Sequence, residues 1–468
     1  MSFLIACPDC AAIQRMPPPP KRGRLECWQC GHPLEKRSGR SLDAALSCSI
    51  ATLLLLLPAN LMPIMTLHVA GISRSTWLAS GLVTIWRQHW PLVAVSLGLF
   101  AIILPLLRFT LLSVTLAAIR YGARGPWLGR AFRYCEMLDP WAMSDVLLIG
   151  AGIGYGRIVS QVPMTIDPGG WCFVCAAVLT MLTRASLERR AVWRYLEQPS
   201  ADVGPDPVAC VRCAMVLPRT NLGHPCPRCG ARVHRRKPFA VMRCTALTLA
   251  TAALTPIAYG YPMSELWEAG VPHPHSIIRG IELLFLNDFW YFGVVIFLVS
   301  LAFPLTKLVG LAWFLTSLHY KSSSRLRTKT KLFRFIDDVG RWSTLDPFAV
   351  MIFAPLGQFG QLAHIQVMGA TPAFLATVIL SMLAAHLFDP RLLWDAAREG
   401  SSGAARVAPN RIARPERDRL PPKGAIPHAA AERVRKCRSC NFPLALPCRG
   451  FQYSPSVQID ETMTASRV

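Results

Sequence analysis

Long apolar runs, broken by short segments rich in Pro, Trp or basic residues, fill the chain between about residues 44 and 388. Eight of them, near 44–66, 91–119, 141–162, 170–187, 240–259, 289–318, 346–367 and 371–388, are each long enough to cross a hydrocarbon core of about 30 Å as a helix. The stretches 75–90 and 276–290 set Trp or Phe among polar residues and predict short amphipathic helices at the membrane surface. The fold class this pattern predicts is an all-α polytopic membrane protein.

The pattern also repeats. Cys27-Trp28-Gln29-Cys30-Gly31 recurs as Cys226-Pro227-Arg228-Cys229-Gly230, an offset of 199 residues, and the offset persists into the apolar regions. Pro63 maps onto Pro262, Gly81 onto Gly280, Pro105 onto Pro304 and Arg108 onto Lys307. A fixed offset over so long a stretch is the signature of a duplicated module. The expected organisation is a zinc-ribbon-like domain at 1–40, a four-helix transmembrane module at 41–190, a second ribbon-like domain at 200–237, a second four-helix module at 238–395 and a basic tail at 396–468. The tail is rich in Arg, Pro, Ala and Gly without period, which predicts disorder.

Composition agrees with a membrane protein: of 468 residues 52% are hydrophobic and only 16% charged. Charge then sets orientation. With the N-terminus inside, the outer loops 67–90, 163–169, 260–288 and 368–370 contain only Arg74, Arg87 and Arg279 as Lys or Arg. The inner loops carry Arg120, Arg124, Arg130 and Arg133 on one side of the repeat, and Lys321, Arg325, Arg327, Lys329, Lys331, Arg334 and Arg341 on the other. An even number of spans with this asymmetry puts both termini and both cysteine domains of a multi-pass protein in the cytoplasm. The net charge of +23 then belongs to basic loops lying against anionic lipid heads. No basic helix with base-reading side chains points to nucleic acid.

Cys7, Cys10, Cys27 and Cys30 form one C-x2-C…C-x2-C set, and Cys210, Cys213, Cys226 and Cys229 another. Each pair makes a tight knuckle that aims two sulfurs at one point, and two knuckles supply the tetrahedral four-sulfur shell that zinc prefers. Four thiolates leave no open position, so two structural zinc ions are expected, one per domain. The residues Leu4-Ile5-Ala6-Cys7 resemble a lipoprotein cleavage site, but what precedes Cys7 is too short for a signal peptide, so Cys7 is assigned to its knuckle with Cys10. Cys437, Cys440 and Cys448 in the tail form an incomplete set, either the remnant of a third knuckle or a site completed by another chain.

Inside the second span of each half stands a cation: Arg108 after Pro105, and Lys307 after Pro304. A charge within a span costs about 2.5–3.5 kcal/mol on insertion scales, so it should face a partner or a cavity, unless it snorkels to the nearer interface. Candidate partners are Asp139 in Leu138-Asp139-Pro140 and Asp346 in Leu345-Asp346-Pro347, matched at an offset of 207. At the same offsets Ser300 faces Ala101 and Ser381 faces Val174, so the second half is expected to assemble a polar transport network of Ser300, Lys307, Asp346 and Ser381. Arg108 and Asp139 are secondary candidates in the first half. Gly150, Gly152, Gly154 and Gly156 alternate in the third span and predict close helix packing, with a hinge as the alternative. No phosphate loop, zinc-hydrolase helix or nucleophile elbow is present, and no enzymatic activity is expected.

The two C-x2-C…C-x2-C-G sets, the spans that follow them, Leu-Asp-Pro at the third span and the ending Phe388-Asp389-Pro390-Arg391-Leu392-Leu393-Trp394-Asp395 resemble the paraquat-inducible protein A family over roughly residues 5–395. That resemblance implies an inner-membrane protein working with a periplasm-spanning MCE-domain partner. Its function would be to exchange phospholipid between the inner membrane and the partner's tunnel. Two other classes stay open: a membrane-anchored zinc-ribbon scaffold or regulator without transport activity, and a small-solute exporter.

Overall fold

A computed structural model describes residues 3–16, 23–37, 41–69, 72–159, 162–196, 206–268, 271–286, 290–358 and 363–401. Cys437, Cys440 and Cys448 lie outside the described residues, as does all of the predicted tail beyond 401.

The chain opens with two hairpins, β1 (Phe3–Ala6) with β2 (Ile13–Met16) and β3 (Gly23–Glu26) with β4 (Pro33–Arg37), each turning through a Cys-x2-Cys knuckle. Both knuckles close with a left-handed residue, Ala11 at φ 59° and Gly31 at φ 69°. Gly is the residue suited to that geometry, which accounts for the glycine after the second knuckle. There follow α1 (Leu42–Leu61), capped by the Ser41 hydroxyl, then β5 (Met65–Val69), β6 (Ile72–Thr76) and α2 (Leu78–Arg87). Next, α3 (Pro91–Gly98) runs through a π-helical turn, Leu99–Ile103, into α4 (Leu104–Arg120). The half closes with α5 (Pro126–Leu138), α6 (Ser144–Ile158), β7 (Met164–Ile166), α7 (Pro168–Ser186) and α8 (Arg189–Tyr195).

The same succession returns. A shorter hairpin, β8 (Val208–Ala209) with β9 (Val216–Leu217), belongs to the second knuckle pair, and then come α9 (Ala240–Gly260), β10 (Ser264–Glu268), β11 (Val271–His275) and α10 (Ile277–Leu286). After α11 (Trp290–Ile296), a second π-helical turn, Phe297–Ala302, leads into α12 (Phe303–His319). Then follow α13 (Leu326–Val339), a 3-10 turn at Gly340–Thr344, α14 (Leu345–Phe353), β12 (Ala363–Val367), α15 (Ala370–Leu387) and α16 (Arg391–Ser401). The final helix therefore carries on past the boundary of 395 read from the sequence.

Among the described residues six helices are long and apolar enough to cross a membrane: Leu42–Leu61, Pro91–Arg120, Pro168–Ser186, Ala240–Gly260, Trp290–His319 and Ala370–Leu387. The expectation of eight is not met, because the stretches 141–162 and 346–367 are not continuous helices. In them α6 has 15 residues and α14 has 9. At 1.5 Å per residue these reach about 22 Å and about 13 Å, short of the hydrocarbon core. Pro355 follows α14 closely and has no N–H with which to extend its hydrogen-bond ladder. The apolar side chains of the two helices serve a different end. Val146 and Leu147 of α6 and Phe348, Met351 and Ile352 of α14 are buried in one core that joins the two halves. Two of the four alternating glycines belong to that contact: a Cβ on Gly154 would strike the Phe353 ring, and one on Gly150 would lie 3.2 Å from the Leu345 carbonyl oxygen, whereas Gly156 meets the Phe292 ring and Gly152 has nothing within 4 Å. Packing is the role of those that meet a neighbour.

Sequence reading had no strands between the spans, yet each half builds a three-stranded antiparallel sheet there, ordered β6-β5-β7 and β11-β10-β12. The predicted amphipathic helices are present as α2 and α10, but they are not used alike. Against α14 the first is so close that a Cβ on Gly81 would collide with the Met351 carbonyl, whereas Gly280 has nothing within 4 Å. Past the end of α2, Gln88 and Trp90 donate side-chain hydrogen bonds to carbonyls of β12, at Ile365 (2.7 Å) and Val367 (3.0 Å).

Candidate functional site

The repeat can be registered by structure. Through α4 and α12 the offset is 199, since Leu104–Arg120 matches Phe303–His319. After the inner loop it is 201: α6 starts at Ser144 and α14 at Leu345. In the outer sheets Ile166 pairs with Met65 where Val367 pairs with Ser264. Phe132 then matches Phe333, Arg133 Arg334, Trp141 Trp342 and Trp193 Trp394. The second inner loop is two residues longer, not eight, and the offset of 207 followed a local Leu-Asp-Pro match. Two expectations change. Asp346 corresponds to Asp145, with Gly340 in the place of Asp139, and Ser381 corresponds to Thr180, not to Val174. Both hydroxyls are buried and bond a carbonyl one turn back, Thr180 to Ala176 and Ser381 to Val378, each at 2.8 Å.

In the first half the buried cation is paired with a carboxylate. The Arg108 side chain, 2% exposed, reaches Asp139 with Nη2–Oδ1 at 2.6 Å. Arg184 (3.1 Å) and Arg189 (2.7 Å) converge on the same carboxylate, and Arg184 also pairs with Asp145. Nearby Glu136, at the end of α5, is pushed up by burial while the Arg189 charge pulls it down. Burial likewise raises the Cys135 thiol to about 12. The predicted pair of Arg108 and Asp139 is therefore real, within a lattice of three guanidinium groups and two carboxylates.

In the second half most of that lattice has gone. Arg184 and Arg189 have Ala385 and Pro390 as counterparts, and Asp139 has Gly340. Lys307 is 2% exposed and lies over Gly340, where a Cβ would come 2.7 Å from its Nζ. Among the described residues no hydrogen bond or ion pair joins Lys307 to Asp346. Ser300 is fully buried in the π-helical turn, and its hydroxyl has no hydrogen-bond partner among the described residues. Its carbonyl, released because Pro304 has no N–H to offer, accepts from the Tyr259 hydroxyl at 2.7 Å. Ser300 and Tyr259 thus meet at one end of the site, with Lys307 seven residues along the chain from Ser300. Tyr259 and Gly340 were missed from sequence; the match of Tyr259 to Asn60 at offset 199 was the available signal.

The cysteine sets close as expected. Sulfurs of opposite knuckles approach at 3.5 Å (Cys7 to Cys30), 3.6 Å (Cys10 to Cys27), 3.6 Å (Cys210 to Cys229) and 3.7 Å (Cys213 to Cys226). A tetrahedral zinc with Zn–S of about 2.3 Å requires about 3.8 Å between sulfurs. All eight are buried, and each quartet could hold a metal ion. Hydrogen bonding splits the crowded thiols: Cys10 pushes Cys27 far down and Cys213 does the same to Cys210. Such a set accepts a cation readily, because thiolate charge is otherwise uncompensated.

Residues 42–197 and 241–398 each match the family model described as paraquat-inducible protein A. The chain is similar to lipophilic envelope-spanning tunnel protein A of Escherichia coli K12, 28% identical over 402 residues that cover 85% of this chain and 92% of the relative. It is similar to the intermembrane transport protein PqiA of the same strain, 24% identical over 403 residues, covering 84% and 95%. A probable intermembrane transport protein of Haemophilus influenzae is 22% identical over 409 residues, covering 84% and 95%. These relatives are named as transport or tunnel proteins. No solved structure matches.

Proposed function

The chain belongs to the paraquat-inducible protein A family, and from that membership we propose that it is the inner-membrane component of an intermembrane lipid-transport system. It exchanges phospholipid with a periplasm-spanning MCE-domain partner, and both termini and both ribbons face the cytoplasm. The names of the relatives, intermembrane transport protein and envelope-spanning tunnel protein, support this reading. The six long helices support the membrane location, with α6 and α14 completing two tandem modules from within the protein.

Cys7, Cys10, Cys27 and Cys30 would hold one zinc ion, and Cys210, Cys213, Cys226 and Cys229 a second. Zinc bound by four thiolates supplies folding free energy to these small domains and keeps no open coordination position. The working site is the second half, at Ser300, Lys307, Asp346 and Ser381, joined by Tyr259. One observation carries this: Lys307 stays buried where the carboxylate that meets its counterpart Arg108 has become Gly340. The first half spends its charges on each other, whereas the second keeps the buried Lys307 ammonium and the buried Ser300 hydroxyl for a guest. Lipid enters between the helices, and protonation of Asp346, or a change in its relation to Lys307, biases two arrangements of the bundle.

Complementation tests the proposal. Lys307→Ala and Asp346→Asn chains that reach the membrane in normal amount should fail to rescue a deletion strain, while the purified wild-type chain retains phospholipid and a periplasmic partner. Full rescue by both variants sinks the assignment of the site. A stable cytoplasmic partner with neither lipid nor tunnel would favour the scaffold reading.

A further inference from the structure

The first ribbon precedes the first half, whose α8 holds its strand β4 through Arg190 on the Leu34 carbonyl (3.3 Å) and Arg194 on Glu35, yet both of its knuckles are held by the second half. From α13, Arg327 donates to the carbonyls of Gln29 (2.7 Å) and Trp28 (3.0 Å). Seven residues later, on the same helix face, Arg334 donates to the carbonyls of Gly31 (3.2 Å) and Cys30 (3.0 Å), and its Nε lies 3.2 Å from Asp9. Arg391 of α16 donates to the Pro8 carbonyl at 2.9 Å. Three arginines thus clasp both knuckles, mainly through main-chain carbonyls. The second ribbon is held crosswise by the first half: a Cβ on Gly129 of α5 would collide with the Arg228 carbonyl, and Arg228 donates to the Trp193 carbonyl at 3.5 Å.

Each inner helix then ends at a buried cation. The residue after α5 is Asp139, on Arg108; the residue after α13 is Gly340, under Lys307. By itself α13 is poorly suited to its position. Arg327, Lys329 and Lys331 sit toward its start and Asp337 and Asp338 toward its end, the reverse of what the helix dipole favours. Two carbonyl acceptors of the first ribbon, at Gln29 and Trp28, offset the unfavourable Arg327 at that start, and the Gly31 and Cys30 carbonyls with Asp9 receive Arg334 two turns along. Those acceptors are in register only while the knuckles keep their shape, and a hairpin pair this small depends on its metal to fold.

We propose that the first ribbon is the positioning device for the Lys307 site: its metal-bound knuckles fix α13 through Arg327 and Arg334, and α13 fixes Lys307 through Gly340. The second ribbon acts in the same way on α5 and Arg108, so the two ribbons act crosswise on the two halves. This rests on reading the quartets as metal centres and does not depend on what the second half carries.

Hydrogen exchange by mass spectrometry on the full-length chain in nanodiscs tests it, with metal content measured alongside. Cys27→Ser with Cys30→Ser should lose one metal ion, raise exchange across 326–339 by about tenfold or more, and leave 126–138 unchanged. Cys226→Ser with Cys229→Ser should do the opposite. Arg327→Ala with Arg334→Ala should keep both metals and still loosen 326–339, and should raise acylation of the Lys307 amine by an amine-reactive reagent. An unmoved α13 on loss of the first metal overturns the proposal, as does loosening of both helices by either ribbon. A wild-type chain without metal would overturn the metal reading and this one with it, and the metal measurement tells the two failures apart.

Discussion

Arg108 reaches Asp139 at 2.6 Å, and the residues in their places in the second half are Lys307 and Gly340. One half closes its buried charge with a carboxylate; the other closes it with the smallest residue available, leaving the ammonium to a different purpose.

Substitution should therefore act differently in the two halves. Asp139→Asn leaves three arginines short of a carboxylate and is expected to cost about 3–5 kcal/mol, because one partner of a buried pair is removed. Lys307→Met removes a buried ammonium that has no carboxylate within ion-pair distance, so it should leave stability unchanged or raise it while abolishing transport. Thermal unfolding in detergent, set beside complementation, reads both; equal destabilisation by the two changes would remove the distinction between the halves.

Gly81→Ala and Gly280→Ala are equivalent in sequence and should be opposite in effect. A Cβ at 81 meets the Met351 carbonyl, so overpacking of about 1–3 kcal/mol or a displaced α14 is expected. At 280 there is space, and alanine in a helix is favoured over glycine by about 0.5–1 kcal/mol. The two melting temperatures should move in opposite directions.

Tyr259→Phe leaves the Ser300 carbonyl without its donor and should cost about 1–3 kcal/mol. Ser300→Ala removes a buried hydroxyl that bonds nothing described, so it should be neutral or stabilising in unfolding experiments. If Ser300→Ala also left transport intact, the hydroxyl would have no part in binding the guest.

Metal analysis of the purified chain should give two zinc ions. A strong chelator should remove them with loss of ribbon structure, and removal should become easier as pH falls, because protons compete for the same sulfurs. Retention of ribbon structure after complete metal loss would contradict a folding role.

Much of the site could be read in one dimension. The cysteine knuckles are local: a two-residue spacing and a following glycine dictate the turn, so Cys27, Cys30 and Gly31 announce themselves. Arg108 and Lys307 stand out because charge in an apolar run is costly. What misled was register. Leu345-Asp346-Pro347 looks like Leu138-Asp139-Pro140, but loops tolerate insertions, and only the strand pairing of Ile166 and Val367 revealed Asp145 as the true counterpart. Apolarity also overcounted the spans, since α6 and α14 are hydrophobic for the sake of each other.

The sequence by itself determined the membrane character, the duplication, both metal quartets and the buried cations, because each depends on residue type and short spacing. Tertiary structure decided which carboxylate meets which cation, that Gly340 stands where Asp139 does, and that each ribbon's knuckles meet the half it does not precede. These are contacts between segments far apart in the chain. They follow from how helices pack and strands pair, which local patterns do not specify.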